Sequence, residues 1–486
     1  MRDYFSDRKV VFSHDDEQWT FGAERGVPQG SCSGLFLWNV VLDTALDVGL
    51  PEGCFLQTFA DGLVLVVRGL SKEDLAAKGT MALQNLTAWG ALHKLTFNPS
   101  KTIRLPITYG GRLSLNDPPL ITMNSTVLQA SGGCRYLGVW WDSGLTFSEH
   151  FKRVRRRVDV LSYRLSMVAG RFFTRRAKLF FRIYKGALEP YILYGYGAWG
   201  NRLSLKKVRD LLNSIQRRPL VKITRAYRTT STTALQVISG VLPLDLKAQQ
   251  VFAKFQLFIL RQNSRVGSLI FRSQDYQCNQ NRYDHHPLAW RPVPFSRKEP
   301  LGFDLEIFTD GSKLNGQVGS SAVVFYHGKE IQHSVCRLPN HASVFAAEIT
   351  GMDMTLSIVQ SLTVWDPVRI YTDSLSLLQA LPSTITVDPM VWTLKEKCIE
   401  LMAKRNLQLF WVKAHVGVTR NEAADQYAKG ATTRSSADIR ILKTVSDFRR
   451  EVKSELISMW QTRWVQAATG RQTARYFPLV DFVPKL

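Results

Sequence analysis

Hydrophobic and polar positions change rhythm several times along the chain. Over residues 1–150 the apolar runs are short and punctuated by glycine, proline and asparagine, a pattern that predicts short strands and turns with a few helices. "FADGLVLVV" (Phe59–Val67) reads as an apolar strand broken near its start by an acid and a glycine. Upstream, Gly26 and Gly30 surround Pro28, a turn whose backbone can lie close to a ligand. A helix is predicted after it, capped by Ser31 or Ser33, with Leu35, Trp38, Leu42 and Leu46 on its buried side. From Phe151 onward Val154, Val158, Leu161, Leu165, Phe172 and Phe180 recur at helical spacing. Residues 276–300 hold four prolines and little periodicity, which reads as a linker. "FDLEIFTDGSK" (Phe303–Lys313) then opens a new region, alternating at Ile307 and Thr309 and closing in a turn at Gly311.

Length and charge sharpen this division. A chain of 486 residues is long enough for two or three cores, and 45% hydrophobic residues is a globular composition. The net charge of +23 points to phosphates, hence to nucleic acid as partner. That charge is concentrated where the helical spacing begins: Phe151–Lys185 carries twelve Lys and Arg against one acid, Asp159. Arg155, Arg156 and Arg157 are the candidate phosphate contacts on its basic face; the alternative is a solvated face. The six cysteines are scattered with no CxxC pair, so no zinc site is expected and a reducing compartment suits them. The start, "MRDYFSDRKVVF", has no apolar signal core, and no apolar run approaches a membrane span. An intracellular protein of nucleus or cytoplasm is expected, with no membrane partner.

Four segments of the first region recur in one order: "GVPQGSCSG" with Gln29, "TFADGLVLVV" with Asp61, "LTFNPSKT" (Leu95–Thr102) and "YLGVWWD" (Tyr136–Asp142). Together they resemble the second half of a reverse-transcriptase palm. The wording of "DRKVVF", "GVPQGSCSG" and "YLGVWWD" is most similar to non-LTR (LINE-type) retrotransposons of arthropods, of the type that inserts into ribosomal DNA. The resemblance implies a hairpin with two adjacent carboxylates and a third on an earlier strand, together holding two metals ~3.5–4 Å apart. Here Asp61 matches the first hairpin acid and Gly62 stands in place of the second. Asp15, Asp16 and Glu17 fall in what reads as a hairpin loop and do not substitute. A degenerate polymerase site and a partial palm are therefore expected, with Gln29 in contact with nucleic acid. The tail, "SELISMWQTRWVQAATG", resembles the segment before a zinc knuckle, and the chain is expected to be truncated at both ends relative to an element's full product.

Beyond the linker, four acids and a histidine stand at junctions. Asp310 ends a strand, Glu348 ("SVFAAEITGM") lies early in a helix, and Asp373 ("RIYTDSLSLL") joins a strand to a helix capped by Asp373 or Ser374. His415 ("FWVKAHVGV") follows a strand, and Asp425 ("NEAADQYAK") lies one turn into a helix. Singly, each acid is a plausible helix cap and the histidine a structural one. As a set they can converge at one end of a sheet, where mutual repulsion calls for cations, and oxygen-only ligation favours Mg2+ or Mn2+. "TDGS", "AAE", "YTDS", "KAHVG" and "NEAAD", in this order, resemble ribonuclease H over about residues 304–430. That implies a mixed five-stranded sheet flanked by helices which cuts the RNA strand of an RNA–DNA hybrid. It also implies two metals on Asp310, Glu348, Asp373 and Asp425, with His415 assisting water handling or product release. Arg420 stands where the family commonly has glycine, and either alters loop geometry or adds a phosphate contact.

The expected fold is an α+β palm remnant (1–150) and a basic helical thumb or connection (151–275). A linker (276–303), an α/β ribonuclease H-like domain (304–432) and a helical tail (433–486) follow. The expected activity is ribonuclease H without polymerase, cutting RNA in RNA–DNA hybrids, and the expected partners are RNA–DNA hybrid, element RNA and target DNA. The rival is a non-catalytic nucleic-acid-binding protein.

Overall fold

The computed structural model describes residues 6, 8–15, 17–23, 26, 30–107, 117–168, 176–278, 291–297, 305–362, 367–383, 388–413 and 419–482. Gln29 and His415 lie outside them. Two compact units emerge, one of residues 1–168 with 184–202 and one of 169–183 with 203–486.

The first unit is a series of hairpins and helices. β1 (Lys9–His14) and β2 (Glu17–Gly22) pair around a turn at Asp15, as the sequence suggested. α1 (Gly34–Asp43) starts at Ser33, whose side chain makes no capping bond. Its buried side differs from expectation: Leu42 is buried, but Leu35 and Leu46 are exposed. Leu46 falls in a 3₁₀ turn, Thr44–Asp47, and the tighter winding takes it off the stripe that Leu42 follows. β3 (Cys54–Phe59) and β4 (Gly62–Val67) form the next hairpin, with Asp61 exposed in its two-residue turn. α2 (Lys72–Leu92) packs Leu86 and Trp89 beneath it. After the hairpin β5 (Gly133–Tyr136) and β6 (Val139–Asp142) comes α3 (Ser148–Val168). It buries Val154 and Val158 and exposes Arg155, Arg156 and Arg157. Arg153 on the same helix is already engaged, paired with Glu149 at 2.7 Å and set over the Trp140 ring at 3.8 Å.

The second unit holds two kinds of core. Helices α4 (Lys206–Thr224), α5 (Thr232–Ser239) and α6 (Leu244–Phe258) pack together, and the long tail helix α11 (Val445–Val465) lies against α6. Leu246, Leu257, Phe448, Val452, Leu456 and Trp460 share this core, so the tail helix is an integral part of the unit. A reciprocal cap between Thr444 and Asp447 starts α11. Tyr276, at the head of the expected linker, is buried in the same core.

The other core is a mixed sheet. Its strands are β7 (Phe295–Ser296), β8 (Leu305–Leu314), β9 (Gln317–Tyr326), β10 (Lys329–Leu338), β11 (Val368–Thr372) and β12 (Leu407–Trp411). Their order is β7-β12-β11-β8-β9-β10: β8, β9 and β10 run antiparallel, while β11, β12 and β7 continue in parallel from β8. This is a ribonuclease H-like architecture with six strands rather than the expected five. The extra strand is two residues long and stands next to Pro294, too short to leave a periodic trace. Helices α7 (Val344–Ser361), α8 (Leu375–Ala380), α9 (Pro389–Lys404) and α10 (Thr419–Thr432) accompany the sheet. Ile307, Ile370, Met352, Leu356 and Leu394 fill the core on the α7 and α9 side, and Phe308, Tyr371, Phe410 and Ala424 on the α10 side.

Candidate active site

The acids meet where the parallel pairing of two strands ends. Thr309 of β8 is in register with Thr372 of β11, so Asp310, which stays in β8, and Asp373, which follows the end of β11, stand as neighbours. Glu348 arrives from α7, five residues in from the helix start at Val344. Two glycines let that helix close on the strand. A Cβ on Gly311 would lie 2.6 Å from the Glu348 backbone nitrogen, and one on Gly351 would lie 2.3 Å from Thr309 Oγ1. Gly311 is therefore a point of close approach within β8, which runs on to Leu314, and not the turn its setting suggested. Ser320 on β9 completes the fixture by donating its hydroxyl to Ala347 O at 2.7 Å. Asp373 does not cap α8; the position belongs to Ser374, and no side chain caps there.

The result is a trio: oxygens of Asp310, Glu348 and Asp373 all lie within 4.8 Å of one another. Asp310 and Glu348 are both buried. Loss of water, with the charges of Asp373 and Asp425 added, pushes the Asp310 carboxyl up to about 7; the Gly311 backbone and Lys429 offset part of this. Burial, then Asp310 and Asp373, push Glu348 up to about 9. Such a cluster holds its protons unless positive charge enters it.

Asp425 stands at the seventh position of α10, one turn into the helix as expected. It is outside the trio. Its Oδ2 accepts a bond from Lys429 Nζ at 2.6 Å, an i,i+4 ion pair that supplies a countercharge in place of a metal. The helix is seated by Ser321 Oγ, which donates to Ala424 O at 2.6 Å, and by Gly319, where a Cβ would lie 2.3 Å from Ala428 O.

Residues 303–433 match the family model for RNase H. The homologues of this chain are Pol polyproteins of R1-type non-LTR retrotransposons of insects. A 115 kDa protein in the type-1 retrotransposable element R1DM of Drosophila melanogaster is 32% identical over 256 residues, covering 52% of this chain and 24% of that protein. The Pol polyprotein of the type-1 element R1 of Bradysia coprophila is 31% identical over 245 residues, 50% of this chain and 24% of its own length. The chain thus spans about a quarter of the length of these curated relatives. Among solved structures it is similar to the N-terminal RNase H domain of a Mycobacterium tuberculosis protein, fused to maltose-binding protein. The identity is 20%, with 27% of this chain and 94% of that one covered, at a TM-score of 0.24.

Within the RNase H domain the geometry adds residues that motif reading passed over. Asn421, buried beside the trio, reaches Asp373 Oδ2 with its amide at 3.5 Å, and its own Oδ1 has no partner among the described residues. The signal was present in "NEAAD" itself, where only the last residue was weighed. Lys429 was visible as an i,i+4 partner of Asp425. Arg420 does not present itself to solvent phosphates: its guanidinium pairs with the wholly buried carboxylate of Glu306. In the first unit, Asp61 is exposed. A Cβ on Gly62 would meet only Phe59 O, at 3.4 Å, so its glycine is not demanded by packing.

Proposed function

We propose that this chain is a ribonuclease H fragment of a retrotransposon polyprotein, which cleaves the RNA strand of an RNA–DNA hybrid. The observation that carries the proposal is the trio Asp310, Glu348 and Asp373, in which the two buried acids Asp310 and Glu348 are pushed toward neutrality and Asp425 is electrostatically in range. Buried, oxygen-only donors fit a hard divalent cation, Mg2+ or Mn2+, and neither sulfur nor imidazole stands among them. When bound, two such ions activate a water and stabilise the departing 3′ oxygen. The chain's own part is to hold the acids. The Thr309–Thr372 register sets Asp310 beside Asp373, the glycine contacts set Glu348, and Asn421 orients Asp373. Asp425, paired with Lys429, would be the fourth acid available to hold the ions, and His415 serves water handling or product release. The deciding experiment is cleavage of a labelled RNA–DNA hybrid by the purified chain with Mg2+. Failure to cleave, with hybrid binding intact, selects the rival reading of a non-catalytic binding protein.

In this reading residues 304–432 are the catalytic domain, to whose sheet Phe295–Ser296 of the 276–303 linker adds an edge strand, 1–150 are a palm remnant, 151–275 a thumb or connection, and 433–486 a helical tail packed into the helical core. The polymerase site is inactive, since Asp61 stands without a second hairpin carboxylate. The purified chain is expected to extend no primer on an RNA template, and Gly62→Asp, which the backbone accommodates, is expected not to restore extension. Incorporation of nucleotides by the unmodified chain refutes this assignment.

The exposed arginines of α3 serve nucleic-acid binding. Replacing Arg155, Arg156 and Arg157 with Ala is expected to weaken hybrid binding and to flatten the salt dependence by roughly 0.9 in log–log slope for each phosphate that is no longer neutralised. The weakening is expected to be similar for unrelated sequences, because phosphate contacts carry no base information. Fluorescence anisotropy over a salt series measures it; an unchanged slope assigns these arginines to a solvated face.

A further inference from the structure

We propose that Arg420 is a positioning residue, whose ion pair with buried Glu306 holds the first turn of α10 on the sheet and thereby places Asn421 and Asp425 at the acidic trio. The inference rests on the ribonuclease H reading of that trio.

Glu306, Phe308 and Asp310 alternate along one face of β8, the face that α10 covers. Glu306 is wholly buried, an unusual setting for a carboxylate without a reason. Its guanidinium partner comes from the first turn of α10, at Arg420, whose head also lies 5.8 Å over the Phe325 ring of β9. Phe325 is the register partner of Glu306, so guanidinium, carboxylate and ring occupy one place on the sheet. One turn further along α10, Ala424 receives the Ser321 hydroxyl at 2.6 Å, and a turn beyond that Ala428 meets Gly319. The last two contacts involve backbone carbonyls of α10. Neither identifies which residue of the helix it touches, so both tolerate a helix shifted by a turn. Side-chain contacts fix the register at both ends among the described residues: Tyr427 OH donates to Glu330 Oε1 at 2.9 Å late in α10, and the Arg420–Glu306 pair, next in sequence to Asn421, holds its first turn.

The consequence is geometric. Asn421 is the residue after Arg420, and Asp425 lies five beyond it, on a helix that advances 1.5 Å per residue. Releasing the first turn of α10 therefore loosens the Asn421–Asp373 contact and the approach of Asp425 to Asp310. Removing a residue that orients metal ligands from behind typically changes metal affinity by about 10–100-fold.

The test uses the full chain and three variants: Arg420→Met, Arg420→Lys, and the double variant Arg420→Met with Glu306→Gln. Mn2+ affinity is read by titration calorimetry, melting temperature by differential scanning calorimetry, and hybrid cleavage as kcat and KM. Arg420→Met is expected to melt lower and to bind Mn2+ about 10-fold more weakly. The double variant removes the uncompensated buried charge, and is expected to recover melting temperature but not Mn2+ affinity or kcat. Arg420→Lys, which keeps the charge without the planar fork, is expected to fall between parent and Arg420→Met. KM for hybrid is expected to stay near the parent's throughout, since the Arg420 guanidinium is engaged by Glu306 and the Phe325 ring. A double variant with parental Mn2+ affinity and kcat overturns the positioning role and leaves the pair purely structural. A raised KM with unchanged metal affinity overturns it in favour of a phosphate contact. A parent chain that binds no divalent ion overturns the ribonuclease H reading and the inference with it.

Discussion

Asp310→Asn is expected to lower RNA–DNA hybrid cleavage by ~10²–10³-fold, the scale for losing one electrostatic stabiliser of a transition state. The substitution keeps size and shape. It removes one negative charge from the point where the trio and Asp425 meet, for Asp310 is the one acid raised by both Asp373 and Asp425. In the proposed two-ion reading, ion binding would suffer because fewer charges offset the cations, and the attacking and leaving oxygens would lose part of their stabilisation. Folding is not expected to suffer. In the metal-free protein a buried carboxylate between like charges is a cost, and an amide at the same place relieves it. The variant is therefore expected to melt at or slightly above the parent without metal, and to gain less from added Mg2+. Cleavage rates under single turnover and a melting series with and without Mg2+ separate these effects. Parental cleavage by Asp310→Asn assigns the acids to a structural role and leaves the basic surface as the functional feature.

The site was legible in the sequence to the extent that local motifs carry it. "TDGS", "AAE" and "YTDS" each announce a strand end or helix start, and the acids they contain are the ones that meet. What local pattern does not encode is approach. Gly311 reads as a turn because Asp-Gly-Ser is turn chemistry, yet ten ladder pairs with β9 hold the strand straight to Leu314 and use the glycine to admit α7. Arg420 stood out as a departure from the family, but its partner lies over a hundred residues away, and a pairing across that distance leaves no trace in one sequence. In the first unit the stripe Leu35–Trp38–Leu42–Leu46 assumed a continuous α-helix; a 3₁₀ turn at Thr44–Asp47 takes Leu46 off it, and Leu35 is exposed at the start of the helix itself. Asp425 was expected to join the other acids outright; with Lys429 one turn away, its charge is met locally instead.

The raised acids make a second large effect, on stability against pH and metal. Asp310 titrates at about 7 and Glu348 at about 9 in the folded chain, whereas in the unfolded chain both return to the ordinary range near 4. Between these limits the native state binds protons that the unfolded state has released. Stability therefore falls as pH rises, from about pH 4 through the folded values, and the loss is complete above about pH 9. A divalent cation reverses the sign, because it binds the deprotonated acids and releases their protons. The metal-free chain is thus expected to melt progressively lower from pH 5 to pH 9. Mg2+ or Mn2+ is expected to stabilise it little at pH 5 and most at pH 8–9. An ion at a hundred times its dissociation constant contributes about 2.7 kcal/mol, or roughly 5–10 °C at the 2–4 °C per kcal/mol usual for a domain of this order of size. Glu348→Gln isolates the effect from every other titrating group, since it removes the larger of the two shifts without touching the rest. The difference in melting temperature between parent and variant, both metal-free, is expected to grow with pH from near zero at pH 5, in the variant's favour. Calorimetric scans across that range measure it. Parallel pH profiles for parent and Glu348→Gln, or equal stabilisation by Mg2+ at pH 5 and pH 8, show that these carboxylates are not the buried, ion-demanding cluster on which the ribonuclease H assignment rests.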